Sequence, residues 1–184
     1  KIEESFDMMN DAVSVCAAAR MKGKLKRRWP LNRAIICIEK GEREKMELLS
    51  DLLHTQLNVH TCDIIELEHH IGLAELLEMK KAGIPIVPKV DLQRKTIGPK
   101  AKQDLGKLLE IFAETDAEKI IESLERNGTF TFDINGNKIS LDTDDFIIDF
   151  DVQEGFAFFK RDNLIGIIST VRNKELMSKG LLKD

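Results

Sequence analysis

Apolar residues Ile2, Phe6, Met9, Val13 and Cys16 recur at steps of four and three, which sets them along one side of a helix. Gly23 weakens that helix, and Pro30 disfavours helical geometry at Trp29. Residues 34–38 form an apolar run of strand length. A charged amphipathic stretch follows over 42–57, with Met46, Leu49, Leu52 and Leu53 expected inward. Residues 59–67 carry β-branched side chains and neither Gly nor Pro, and read as a second strand. Strand, helix, strand at this spacing predicts a right-handed βαβ unit with parallel pairing.

Residues 68–81 look helical, with Leu73, Leu76 and Leu77 on one side and Gly83 as the stop. The proline-broken segment 84–90 predicts an edge strand or a linker. Gly98-Pro99 is expected to open a helix carrying Leu105, Leu108, Leu109 and Phe112. Thr115 is expected to cap the next helix, with Glu118 three residues on completing a capping box, and Asn127-Gly128 to end it. Segments 130–133 and 138–141 flank Asn135-Gly136, a strong hairpin signal. Phe146, Ile148, Phe150 and Val152 then alternate, Gly155 turns the chain into Phe156 and Phe158, and 164–168 completes an antiparallel meander. Thr170 is expected to cap a last helix over 172–184.

The fold class read this way is α+β: an N-terminal helix and βαβ unit, then helices and an antiparallel β-meander, ending in a helix. Three parts are expected. Residues 1–31 hold a terminal helix and basic segment, 32–83 a small βαβα subdomain, and 84–184 an α+β subdomain with the antiparallel sheet. The seam of the first helix has no neighbouring helix in the sequence to receive it. With a start at Lys1 and a helical pattern running to Asp184, this leads us to expect a piece of a longer polypeptide.

Charge changes the picture most. The chain carries a net charge of −4, yet Arg20, Lys22, Lys24, Lys26, Arg27 and Arg28 crowd one short stretch ending in Trp29. A local cationic patch with an aromatic neighbour is the footprint of a polyanion site, with nucleic acid the leading candidate. The bland alternative is a solvated helix end, where cations complement the last carbonyls. Lys89, Arg94, Lys95, Lys100 and Lys102 form a second basic cluster that is expected to end at a helix N-terminus, itself favourable to anions. Asp142, Asp144, Asp145, Asp149, Asp151 and Glu154 make the later sheet acidic, so charge is expected to segregate: cationic early, anionic late. No apolar run approaches the ~20 residues of a membrane helix. Cys16, Cys37 and Cys62 are odd in number and lack paired spacing, which fits a reducing, cytosolic setting.

No convincing catalytic constellation emerges. His69-His70-Ile71-Gly72 superficially matches a synthetase ATP-site motif but has Leu73 where the second histidine belongs. Met177-Ser178-Lys179-Gly180 has Leu176 where another such motif begins with lysine. His60, Cys62, His69 and His70 lack the tight paired spacing of structural zinc sites, so no metal is expected. Phosphate-cradling glycine loops are absent.

Several segments resemble isoleucyl-tRNA synthetase. The run from Ala18 through Arg20, Lys22, Leu25 and Arg28 to Trp29-Pro30-Leu31 is similar to the end of that family's anticodon-binding helical domain. Gln56-Leu57-Asn58-Val59 resembles its step into a strand. Pro88-Lys89-Val90-Asp91 through Thr96-Ile97-Gly98-Pro99-Lys100 resembles a later segment, although Val90-Asp91-Leu92 replaces the usual Pro-Asn-Phe. Glu154-Gly155-Phe156 through Asn173-Lys174-Glu175-Leu176 to Gly180-Leu181 resembles its C-terminal hairpin and helix, with Asn173-Lys174 in place of Thr-Pro. The resemblance spans nearly the whole chain. It implies the C-terminal tRNA-binding region of a cytoplasmic ligase that charges tRNA(Ile) with isoleucine, using ATP and Mg in upstream domains. The fragment itself would be non-catalytic and free of cofactor, with tRNA(Ile) and those upstream domains as partners, and neither DNA nor membrane. RNA contacts are expected from Arg20, Lys22, Lys24, Lys26, Arg27 and Arg28, with Lys95 and Lys100 second in rank, and Trp29 either stacking on a base or packing on the sheet. The rival expectation is a module that braces the parent's helical bundle, or docks a partner protein, without touching RNA.

Overall fold

A computed structural model describes residues 2–68 and 71–171. In chain order the elements are α1 (Ile2–Lys22), β1 (Leu31–Glu39), α2 (Arg43–Glu47), α3 (Ser50–Leu57), β2 (Val59–Leu67), α4 (Leu73–Lys81), β3 (Ile86–Leu92), α5 (Arg94–Ala101), α6 (Leu105–Glu114) and α7 (Ala117–Asn127). They continue with β4 (Thr129–Ile134), β5 (Asn137–Asp142), β6 (Phe146–Val152), β7 (Phe156–Arg161) and β8 (Leu164–Ser169). The α+β class holds. The last expected helix, over 172–184, lies outside the described residues.

The chain divides into two compact units, one built from residues 1–70 and 152–184 and the other from 71–151. The second is therefore an insertion within the first, a division that differs from three consecutive parts.

In the first unit the strands run β2-β1-β8-β7 across one sheet. β1 and β2 are parallel, as the strand–helix–strand spacing requires, with Leu31 opposite Val59 and Ile38 opposite Glu66. β8 lies antiparallel to β1 on its other side, and β7 antiparallel to β8. The strands expected to form one meander are thus shared between units, since β6 pairs with β3 instead. Residues 42–57 are not one helix. A turn at Leu48-Leu49 separates α2 from α3, which buries Leu53 and Leu57 while Leu52 is exposed.

α1 packs on β7 and β8. Its buried stripe is Ser5, Met9, Ala12, Cys16 and Ala19 rather than the expected seam. Met9 and Cys16 belong to both, but Ile2 is 68% exposed and Phe6 41%. Close helix–sheet packing explains the difference. Gly166 on β8 brings the strand against Val15 and Cys16, and only small side chains fit beneath a helix that close. One core cluster joins Met9, Ala12 and Cys16 to Ile36, Ile38, Met46 and Ile168.

In the second unit, β4 and β5 form the expected hairpin, with Asn135 at φ +53 and Gly136 at φ +90, both left-handed as a two-residue turn of this kind demands. Asp133 Oδ1 accepts the Gly136 N–H at 2.9 Å and steadies the turn. α7 packs on β3 and β4 through Ile120, Ile121 and Leu124. Asp116, not Thr115, caps it, accepting the Glu118 N–H at 3.0 Å, while the Thr115 hydroxyl turns back to the Ile111 carbonyl. Gly98-Pro99 does not open a helix either. Pro99 sits in the last turn of α5, and the next α-helix begins only at Leu105, after a 3-10 turn over Lys102–Asp104.

Candidate functional site

The cationic stretch is the end of α1 and the loop that follows. α1 closes in a Schellman arrangement: the Lys24 N–H reaches the Met21 carbonyl at 3.1 Å and the Leu25 N–H the Arg20 carbonyl at 2.9 Å. The left-handed residue of this motif is Lys24, at φ +54. Gly23, one residue earlier, is needed for space, since a Cβ there would lie 3.0 Å from Thr170 Cγ2 and 3.5 Å from Ala157 Cβ. Leu25 then drops into the core and anchors the loop.

Lys22, Lys24, Lys26, Arg27 and Arg28 are all exposed. The Lys22 ammonium lies 5.4 and 5.2 Å from the ring centres of Phe158 and Phe159. Lys26 sits 5.5 Å from the Trp29 ring. No ion pair among the described residues engages Lys24 or Arg27. The loop thus presents a row of exposed cations, of which Lys24 and Arg27 have no acidic partner among the described residues. Trp29 is half-buried against the core cluster with Lys26 over its ring.

Arg20 does not belong to that outward row. It is 5% exposed, and its guanidinium faces inward to four carbonyls. Nη1 donates to Trp29 at 2.9 Å and Lys26 at 3.3 Å; Nη2 donates to Asn58 at 3.3 Å and also to Leu57. Burial, with Arg27 nearby adding to it, pulls its pKa below the ordinary guanidinium value. A cation so enclosed has no surface for a phosphate. Asn58, which counting charges could not single out, completes the arrangement: its Nδ2 donates to the Arg28 carbonyl at 3.1 Å, and its own carbonyl accepts the Leu31 N–H at 3.1 Å. An asparagine just past a helix, here left-handed at φ +50, was the available signal.

The second-rank candidates lie in the other unit. Lys95 is exposed near the start of α5. Lys100 is in its last turn, not at a helix N-terminus, and its ammonium pairs with Asp142 Oδ2 at 3.1 Å and with the buried Asp145. Two carboxylates thus share the Lys100 ammonium, which reduces the positive field it offers an anion. Arg161 likewise pairs with Asp11 at 2.9 Å.

Cys62 lies on edge strand β2, and burial pushes its thiol up to about 12. Among the described residues no group of three or more His, Cys, Asp or Glu side chains converges as a metal site. His69 and His70 lie outside them, as does the 177–180 segment. No described helix is long and apolar enough to cross a membrane.

Over nearly its whole length the chain is similar to one part of several curated amino acid–tRNA ligases. Those relatives are isoleucine–tRNA ligases, as the motif resemblance implied. The enzyme of Methanothermobacter marburgensis is 25% identical over 181 residues, covering 97% of this chain and 16% of the ligase. That of Sulfolobus acidocaldarius is 20% identical over 185 residues, covering all of the chain and 16% of the ligase. That of Bacteroides fragilis is 25% identical over 185 residues, again covering the whole chain and 15% of the ligase. The chain thus spans only about a sixth of the length of these curated relatives. No family model matches it.

Proposed function

We propose that this chain is the C-terminal tRNA-binding region of a cytoplasmic isoleucine–tRNA ligase, and that its basic loop lies against the anticodon arm of tRNA(Ile). The observation that carries the proposal is the outward row Lys22, Lys24, Lys26, Arg27 and Arg28 on a loop anchored by Leu25 and by carbonyl contacts. Such a row meets sugar-phosphate without reading sequence, and discrimination would come from unstacked loop bases. On this reading the ATP- and Mg-dependent chemistry belongs to upstream domains of the parent.

Titration with transcribed tRNA(Ile) at two salt concentrations tests the proposal. Affinity is expected to fall with a log–log slope of about 0.7–0.9 per phosphate contact. Reversing Lys26, Arg27 and Arg28 to glutamate is expected to abolish binding, and binding that survives this change defeats the proposal.

A second reading rests on Ile2 and Phe6, large apolar side chains left exposed at the start of α1. They suit a protein neighbour such as the helical bundle of the parent enzyme. Under that reading Phe6→Ser weakens docking to the upstream domains, while the loop reversal changes nothing.

A further inference from the structure

We infer that Arg20 is a positioning residue for the RNA-facing loop: it holds the loop's carbonyls inward so that Lys26, Arg27 and Arg28 are presented outward, and it never touches phosphate itself. The inference deepens the tRNA-binding reading and rests on it for its functional half.

A single buried guanidinium here joins two separate segments. From the loop it takes the carbonyls of Lys26 and Trp29, and from the α3–β2 turn those of Leu57 and Asn58. Asn58 returns the connection by donating to the Arg28 carbonyl. Carbonyls 26, 28 and 29 are therefore all engaged on the protein side, which turns the negative ends of their peptide dipoles away from an approaching anion. The same residue fixes the loop a second way, because its main-chain carbonyl receives the Leu25 N–H. Lysine could not substitute. A point ammonium with three donors cannot bridge carbonyls on two segments as a planar fork with five N–H groups does. A loop ordered before the ligand arrives also spares the complex that ordering cost. Nearby Arg27 gains from the arrangement in particular, since it lies between two carbonyls held in place and makes no ion pair among the described residues.

The experiment has two arms and uses the chain and its Arg20→Lys, Arg20→Met, Asn58→Ala and Arg27→Gln variants. In the first arm, amide hydrogen exchange is followed without RNA. The Arg20 variants are expected to speed exchange across Lys26–Trp29 by roughly tenfold or more while β1 amides stay protected, as for a local opening. Asn58→Ala should loosen the same stretch, and it supplies the answer if Arg20→Met does not fold. Arg27→Gln should leave exchange unchanged. In the second arm, tRNA(Ile) transcript is titrated at two salt concentrations. Arg20→Lys, despite keeping the charge, should weaken binding with its salt slope intact, whereas Arg27→Gln should lower the slope by about 0.7–0.9. Unchanged loop exchange in Arg20→Lys and Asn58→Ala overturns the inference. So does a salt slope that drops in Arg20→Met as it does in Arg27→Gln, which would make Arg20 a phosphate contact. Wild-type protein that binds no tRNA defeats the functional reading instead, and the exchange arm still decides whether Arg20 positions the loop.

Discussion

Gly166 on β8 faces Cys16 on α1 so closely that a Cβ at Gly166 would stand 3.0 Å from Cys16 Sγ and 3.2 Å from its amide nitrogen. Val15 Cγ1 closes the space from the other side at 3.0 Å. Backbone is part of this contact, so no rotamer change relieves it. Gly166→Ala is expected to destabilise the first unit by about 1–3 kcal/mol, the usual range for overpacking. Urea denaturation measures this, and an unchanged midpoint would show that α1 does not sit where the contact requires.

Lys24 occupies a left-handed backbone position that glycine takes without strain. Lys24→Gly should therefore raise stability by up to about 1 kcal/mol, even though it removes a side chain. The same variant loses one cation of the outward row, so its tRNA salt slope should fall by about 0.7–0.9. Thermal melting and salt titration on one protein thus pull in opposite directions, which a merely damaged loop would not produce.

Alkali should unfold the protein through its thiols. Burial pushes Cys16, Cys37 and Cys62 each from an ordinary 9.0 up to about 12. A group that holds its proton more tightly when folded stabilises fully below the unfolded value and loses that contribution as pH rises through the folded one. Melting temperature should accordingly decline between pH 9 and pH 12. A variant with all three cysteines changed to alanine should show a shallower decline, whatever its stability at neutral pH.

Acid should act through Asp145, which is 1% exposed. Burial alone would raise its carboxyl, but hydrogen bonds from Lys100 and from the Asp142 amide outweigh that and hold it below the ordinary 3.8. Its contribution is therefore complete above pH 3.8 and lost as pH falls through the lower folded value. Asp145→Asn should cost roughly 1–3 kcal/mol at neutral pH, as expected when a buried charge-assisted bond is weakened. Its loss of stability between pH 5 and pH 2 should be smaller than that of the parent chain, as read by denaturation at fixed pH.

Local signals were legible wherever a few neighbouring residues decide the outcome. β2 matches its expected bounds because neither Gly nor Pro interrupts a stretch that carries Val59, Thr61, Ile64 and Ile65, and Asn135-Gly136 specified its hairpin because few dipeptides accept two left-handed positions. What escaped depends on distant partners. Hydrophobicity favoured Ile2 and Phe6 as the seam of α1, but the helix buries Ala12 and Ala19 instead, where Gly166, far along the chain, comes close to Val15 and Cys16. Nothing local marks β6 for β3 and β8 for β1. In the basic stretch the cations could be counted from sequence, yet Arg20 and Arg28 look alike there. Only the carbonyls of Leu57 and Asn58, delivered by another element, turn one of them inward.

The insertion of 71–151 between β2 and β7 has a consequence for synthesis. Glu39 at the end of β1 and its partner Asn163 are 124 residues apart. At about 5–20 residues per second, the ribosome leaves the apolar strand Ile35-Ile36-Cys37-Ile38 with one open edge for on the order of ten seconds before β8 emerges to cover it. During that interval nascent chains are most exposed to edge-to-edge association, so chaperone demand should peak between the emergence of β1 and that of β8.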